Sequence, residues 1–156
     1  MRVYLASDHA GFELKNHLVK KLAERGHDTI DVGPATYDPA DDYPPFCIHA
    51  ARRVVADPGS RGVLIGGSGN GEQIAANKVP GARAALVWNA HVARLARRHN
   101  NAQLAAIGAR LHALTEAELI VNTFLTTQFD GGRHQRRLTQ LTHYETAGVL
   151  PPLRAD

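Results

Sequence analysis

Residues 62–78, GVLIGGSGNGEQIAANK, constrain the fold more than any other stretch of the chain. An apolar run of strand length ends in a glycine-rich turn and passes at once into a helix-forming segment that carries Glu72 in its first turn. Strand, turn of small residues and helix make half of a βαβ unit, and such units recur along the chain. Residues 2–6 alternate in a β-favouring way, SDHAG breaks the run, and FELKNHLVKKLAERG places Phe12, Leu14, Leu18, Val19 and Leu22 at helical spacing before Gly26, a C-cap. HDTIDVG reads as a second strand. The turn-rich TYDPADDYP then leads to a helix over about 45–56, closed by DPGSRG. After the third strand, GVLIG, the helix EQIAANK is terminated by Pro80 and Gly81; ARAALVW is a fourth strand, HVARLARRHN a helix and AQLAAIG a fifth strand. TEAELIVNTFLTT is a helix opened by a Thr115 cap, and a last helix runs from about 132 to 146. Strands alternating with helices through short turns predict one doubly wound, Rossmann-like α/β domain over residues 1–150, with a five-stranded parallel sheet covered by helices on both faces. PPLRAD, residues 151–156, reads as an exposed tail.

With 156 residues and 44% hydrophobic content, the chain suits one domain with an ordinary core. No apolar stretch approaches the roughly 20 residues that span a bilayer, and the N-terminus runs into a strand, so a soluble, cytoplasmic protein is expected. The single cysteine, Cys47, forms no internal disulfide and reads as a small core residue rather than a nucleophile. No Cys and His cluster has zinc-ligand spacing, so no metal and no cofactor are expected. Residues 1–77 carry 8 basic and 10 acidic side chains, and residues 78–156 carry 10 and 5. A cationic C-terminal half suits an anionic partner; with aromatics at only 6%, a small anion fits better than nucleic acid. Trp88 reads as core or interface rather than a stacking platform.

The glycine turn presents unpaired backbone N–H groups suited to a phosphate or an oxyanion. It is not a nucleotide P-loop, since Glu72 and Gln73 follow Gly71 where Lys and Ser or Thr are needed. Nor is it a dinucleotide fingerprint, which needs glycine at position 72. A carboxylate beside N–H donors is equipment for removing a proton next to a carbonyl. The plainer alternative is a βα turn whose Glu72 complements the helix dipole. In open parallel sheets ligands bind beyond the carboxyl ends of the strands, which selects Asp8 and His9, Gly66–Glu72, His99–Asn101 leading into the fifth strand, and Gly108 and Arg110 after it; all are expected along one edge. His9 has the ordinary alternative of capping a helix, and His99 that of a cation at a helix C-terminus. In GRHQRR, Arg133 and Arg137 share one helix face with His134 and Arg136 turned elsewhere, giving either a grip for a dianionic phosphate or a solvated basic face.

ASDHAG at 6–11, DYP at 42–44, GGSGNGEQIAANK at 66–78, HNNAQ at 99–103 and HQRR at 134–137 together resemble the type B ribose-5-phosphate isomerases, whose superfamily includes galactose-6-phosphate and allose-6-phosphate isomerases. The resemblance runs from the first strand to the last helix. It implies a metal-free interconversion of ribose 5-phosphate and ribulose 5-phosphate in the pentose phosphate pathway, by a homodimer whose sites use both subunits. Some members place a cysteine base immediately before the loop, where this chain has Gly66; the resemblance to the other branch makes Glu72 the base, with Ser68 beside it. Asp8, His99 and Asn100 match residues of ring opening and substrate binding. His9, Arg110, Arg133 and Arg137 match the phosphate set, Tyr43 matches a pocket residue, and Gly67, Gly69, Asn70 and Gly71 form the substrate loop. The alternatives left open are an isomerase for a hexose or tetrose phosphate and a sugar-phosphate-binding protein without catalysis, which would do better without Glu72.

Overall fold

The computed structural model describes residues 1–153. Five strands, β1 (Arg2–Ser7), β2 (Asp28–Gly33), β3 (Arg61–Gly66), β4 (Ala84–Leu86) and β5 (Leu104–Gly108), form one parallel sheet in the order β2-β1-β3-β5-β4. Six helices connect or follow them: α1 (Phe12–Glu24), α2 (Tyr43–Ala56), α3 (Asn70–Ala76), α4 (Ala90–Asn100), α5 (Leu114–Thr126) and α6 (Arg133–Ala147). The doubly wound fold and its five strands are as the sequence predicts.

Strand alternation builds a core on each side of the sheet. Val3, Leu5, Val63, Ile65, Ala105 and Ile107 face α1, α4 and α5 through Leu14, Leu18, Ala93, Ile120 and Phe124. The intervening Tyr4, Ala6, Leu64, Leu104 and Ala106 face α2 and α3 through Cys47, Ala50, Ala51, Val54 and Ala75. Because both faces are covered, the central strands are apolar throughout, which is why they read as continuous hydrophobic runs. The chain moves outward from β1 to β2 and then returns to place β3 on the other side of β1. The winding direction therefore switches between β1 and β3, and a crevice opens beyond their carboxyl ends.

Local chemistry sets the element ends. Helix α1 closes with His27 N–H on Leu22 O and Gly26 N–H on Ala23 O, a Schellman cap at the predicted glycine. Pro44 and Pro45 fall in the first turn of α2, where a missing N–H costs nothing. One expectation fails and another is narrowed. Thr115 does not cap α5: Ala117 N–H already bonds Ala113 O, so the helix starts at Leu114 and Thr115 lies inside its first turn. Trp88, expected in the core or at an interface, is not in the core of this chain, being 55% exposed beyond the short β4, so only the interface half of that expectation stays open. Residues 151–153 are exposed as expected for the tail, and 154–156 lie outside the described residues. No helix among the described residues is long and apolar enough to cross a membrane.

Candidate active site

At the switch point a cleft of about 520 Å³ is lined by Asp8, His9, Ala10, Tyr43, Gly67, Ser68, Gly71, Glu72, Arg110 and Leu111. Three strand exits supply it. After β1, Asp8 accepts from the N–H groups of Ala10 (3.0 Å) and Gly11 (3.2 Å), capping a single 3₁₀ turn over His9–Gly11. The capping residue here is thus Asp8 and not His9. After β3, the backbone runs through Gly69, in the left-handed region at φ 84°, into α3, and Glu72 falls in the first turn of that helix. After β5, Ala109 N–H bonds Gly66 O (2.8 Å) and Arg110 N–H bonds Gly67 O (3.2 Å), so the two exits run side by side and carry Arg110 to the cleft.

Glu72 is 4% exposed, and its carboxylate lies directly over Gly66. A side chain at position 66 would overlap it, so a glycine there and a glutamate at 72 are one spatial decision. The Tyr43 ring similarly rests on the Gly71 backbone, where a Cβ would come within 2.6 Å of the ring. Burial raises the Glu72 pKa above the usual glutamate value and the charge of Asp8 adds to the shift, while its own N–H and that of Gly69 pull the other way. Of the two opposing influences apparent from sequence, desolvation wins, and the carboxylate is made more basic. Ser68 is exposed at the rim, its hydroxyl accepting from the side-chain amide of Asn70 (3.2 Å). His9 is held from outside the cleft: Asp41 Oδ1 accepts from its backbone N–H at 2.7 Å and lies 2.9 Å from Nδ1, and this bond raises the His9 pKa. Cys47 is fully buried, as a small core residue should be, and desolvation together with the charges of Glu72 and Asp8 pushes its thiol pKa upward, away from the thiolate.

The remaining expected residues form a second cluster. Helix α4 runs antiparallel to the strands, so His99 and Asn100 at its end lie where β5 begins, opposite the edge at which Asp8 and Glu72 stand. The expectation of a single edge for all these residues therefore fails for His99–Asn101 within one copy of the chain. The start of α6 joins them there. Asp130 N–H bonds Arg98 O (3.0 Å), Arg98 and Asp130 form an ion pair at 2.9 Å, and His134 turns inward to stack on His99 with ring centroids 4.2 Å apart and planes 5° apart. Sequence reasoning misses His134 as a member of this cluster. Its only signal there is its place four residues before Leu138, the other buried residue of α6. Burial lowers the His134 pKa most, followed by His99 and by the flanking Arg133 and Arg137. Neither arginine makes an ion pair among the described residues. His99, Asp130 and His134 bring possible metal-ligand atoms within 4.8 Å of one another. Stacked parallel rings, however, point their in-plane lone pairs side by side rather than at one centre, and Asp130 is engaged by Arg98.

The fold and cleft define a Rossmann-like α/β domain whose topological switch point gathers carboxylate, imidazole and guanidinium side chains. The chain belongs to the ribose/galactose isomerase family, whose model matches residues 3–141. It is 58% identical over 154 residues to ribose-5-phosphate isomerase B of Mycobacterium tuberculosis (strain CDC 1551 / Oshkosh), covering 98% of this chain and 95% of that protein. Among solved structures, ribose-5-phosphate isomerase B of Clostridium thermocellum superposes with a TM-score of 0.91 at 40% identity, covering 96% of this chain and all of that one. The Mycoplasma genitalium enzyme with bound ribulose-5-phosphate also superposes with a TM-score of 0.91, at 39% identity, covering 94% of this chain and 97% of that one.

Proposed function

We propose that this chain interconverts ribose 5-phosphate and ribulose 5-phosphate, with Glu72 as the base that moves the proton between carbons one and two. The observation that carries this reading is the Glu72 carboxylate, buried over Gly66, with its basicity raised and the N–H groups of the glycine turn beside it. The sugar ring opens by acid–base transfer between Asp8 and His99. Glu72 then removes the proton alpha to the carbonyl, the N–H groups of Gly69 to Gly71 receive the enediolate oxygen, and the proton returns to the neighbouring carbon. Ser68 and Tyr43 position the chain of the sugar, with Gly67, Asn70 and Asn100 as further contacts. His9, Arg110, Arg133 and Arg137 hold the phosphate.

This assignment needs two copies of the chain. Glu72 and Asp8 stand at one edge of the sheet and His99, Asn100, Arg133 and Arg137 at the other, so a complete site joins the cleft of one copy to the α4–α6 corner of a second. Exposed Ile74, Trp88, Leu141, Tyr144 and Leu150 give that second copy apolar surface to cover. A cytoplasmic homodimer that uses no metal and no cofactor is the form we infer.

The test is turnover on aldose phosphates of four, five and six carbons, with and without EDTA, for the parent and Glu72→Gln. Preference for the pentose, indifference to EDTA and a loss on the order of 10²–10⁴ in the variant are expected, the usual contribution of a positioned base. A hexose preference would move the substrate assignment, loss on chelation would overturn the metal-free mechanism, and near-parental turnover by Glu72→Gln would place the base elsewhere.

A further inference from the structure

We infer that Asp41 is the positioning residue of the phosphate end of the cleft, holding the His9 ring so that Nε2 is its free, donating nitrogen. The inference rests on the sugar-phosphate reading of the cleft and adds a residue to it. Asp41 lies in the loop between β2 and α2. Its Oδ1 accepts from His9 twice, from the backbone N–H at 2.7 Å and from Nδ1 at 2.9 Å, and its own carbonyl oxygen lies 3.3 Å from the same Nδ1. Two anchors on one residue fix both the backbone that leaves β1 and the rotation of the ring.

The carboxylate is itself nearly desolvated. Its side chain is 10% exposed and Oδ2 is buried without a hydrogen-bond partner, while His9 is the one cationic partner it meets among the described residues. A charged imidazole facing a carboxylate so removed from water supplies it with a charge-assisted partner. Bonding at Nδ1 also settles the tautomer, since the proton there leaves Nε2 as the only nitrogen that can address a ligand. A neutral ring with its lone pair toward the cleft would repel a phosphate oxygen; the imidazolium donates to it. The other charged or titratable groups around His9 are Asp8 beside it in the chain, Glu13, Tyr37 and Arg110 on the surface it shares with them, and Glu72 and Tyr43 across the cleft. Of these influences the bond to Asp41 is the largest, raising the His9 pKa against the opposing effect of burial.

The experiment compares Asp41→Asn and His9→Asn with the parent in the full-length chain. It measures kcat and KM for ribose 5-phosphate from about pH 5.5 to about 8.5, a range that brackets imidazole titration, and follows the His9 ring by NMR. The amide introduced by Asp41→Asn can still accept through its side-chain oxygen but carries no charge, so the His9 midpoint should fall. A raised midpoint keeps the ring cationic to higher pH in the parent. The KM ratio of variant to parent should therefore be largest, roughly tenfold, above the variant's midpoint and shrink below both midpoints, where the ring is charged in either protein; kcat should change less. If His9→Asn raises KM but Asp41→Asn moves neither KM nor the ring titration, Asp41 is not the positioning residue and the cleft reading stands. If His9→Asn itself leaves KM unchanged, His9 does not hold the phosphate and the cleft reading is what fails. Should Asp41→Asn not fold, a parental His9 midpoint at or below the ordinary histidine value overturns the inference by itself.

Discussion

Gly66→Ala isolates the position of the Glu72 carboxylate from its chemistry. A methyl group at position 66 would overlap the carboxylate, and both its oxygens and Cδ lie closer than any ordinary Cβ contact. The obstructing atoms are the end of a flexible side chain rather than backbone, so the strain is relieved by Glu72 swinging away while β3 stays in register. To reach van der Waals distance the carboxylate must withdraw by more than about 1 Å, a displacement that typically costs on the order of 10² in rate even when no catalytic group is deleted. The expected result is a folded enzyme with kcat/KM about 10² below the parent. The double variant with Glu72→Gln should be no slower than Glu72→Gln alone, because both changes act through one carboxylate. A coupled ketose assay gives the rates, and thermal unfolding monitored by circular dichroism checks the fold. Parental activity in Gly66→Ala, or additive losses in the double variant, would refute the placement of Glu72 over Gly66 as the catalytic geometry.

Two further outcomes follow from the raised Glu72 pKa, and a third from the arginines. Because burial raises that pKa, the acid limb of the kcat profile should lie above the ordinary glutamate value, activity falling as pH drops through it; a limb at or below that value would contradict the desolvated environment. The same shift acts on stability. The native state keeps the Glu72 proton to a higher pH than the unfolded chain does, so the benefit is complete below the unfolded pKa and lost as pH rises through the native one. Glu72→Gln should then melt at a higher temperature than the parent at neutral pH and converge with it in acid, and identical melting at all pH values would count against it. Replacing Arg133 and Arg137 together by Ala should raise KM for ribose 5-phosphate while leaving the melting temperature near the parent's. With two charge-assisted grips removed, a change on the order of 10² in kcat/KM is expected, and a change below about twofold would release them from the phosphate set.

Most of the fold is legible in the sequence because it is written locally. Glycine turns and apolar runs of strand length recur in order, a proline pair starts α2, and the rule for open parallel sheets alone aligns the β1, β3 and β5 exits. Asp8, Ser68, Glu72 and Arg110, which those exits carry, accordingly line one cleft together with Tyr43. His99 falls elsewhere because adjacency to a strand does not say which end of it a residue occupies; that follows from the antiparallel run of α4, which delivers its last turn to the start of β5. Thr115 misleads because a good capping residue one position inside a helix is indistinguishable in sequence from one at its edge. Asp41 and His134 are beyond reach for a different reason. Each meets its histidine across more than 30 positions of chain, and no periodicity connects residues so far apart.

Mixing subunits tests the shared site most directly. Glu72→Gln and His99→Asn, each inactive alone, would be combined in equal amounts under conditions that allow dimers to exchange. A mixed dimer holds one site with both native residues and one with neither, so recovery of about a quarter of parental turnover is expected. Turnover that stays at the level of the separate variants, with exchange verified by mass spectrometry of the mixed dimers, would mean that Glu72 and His99 do not complete one another across two copies.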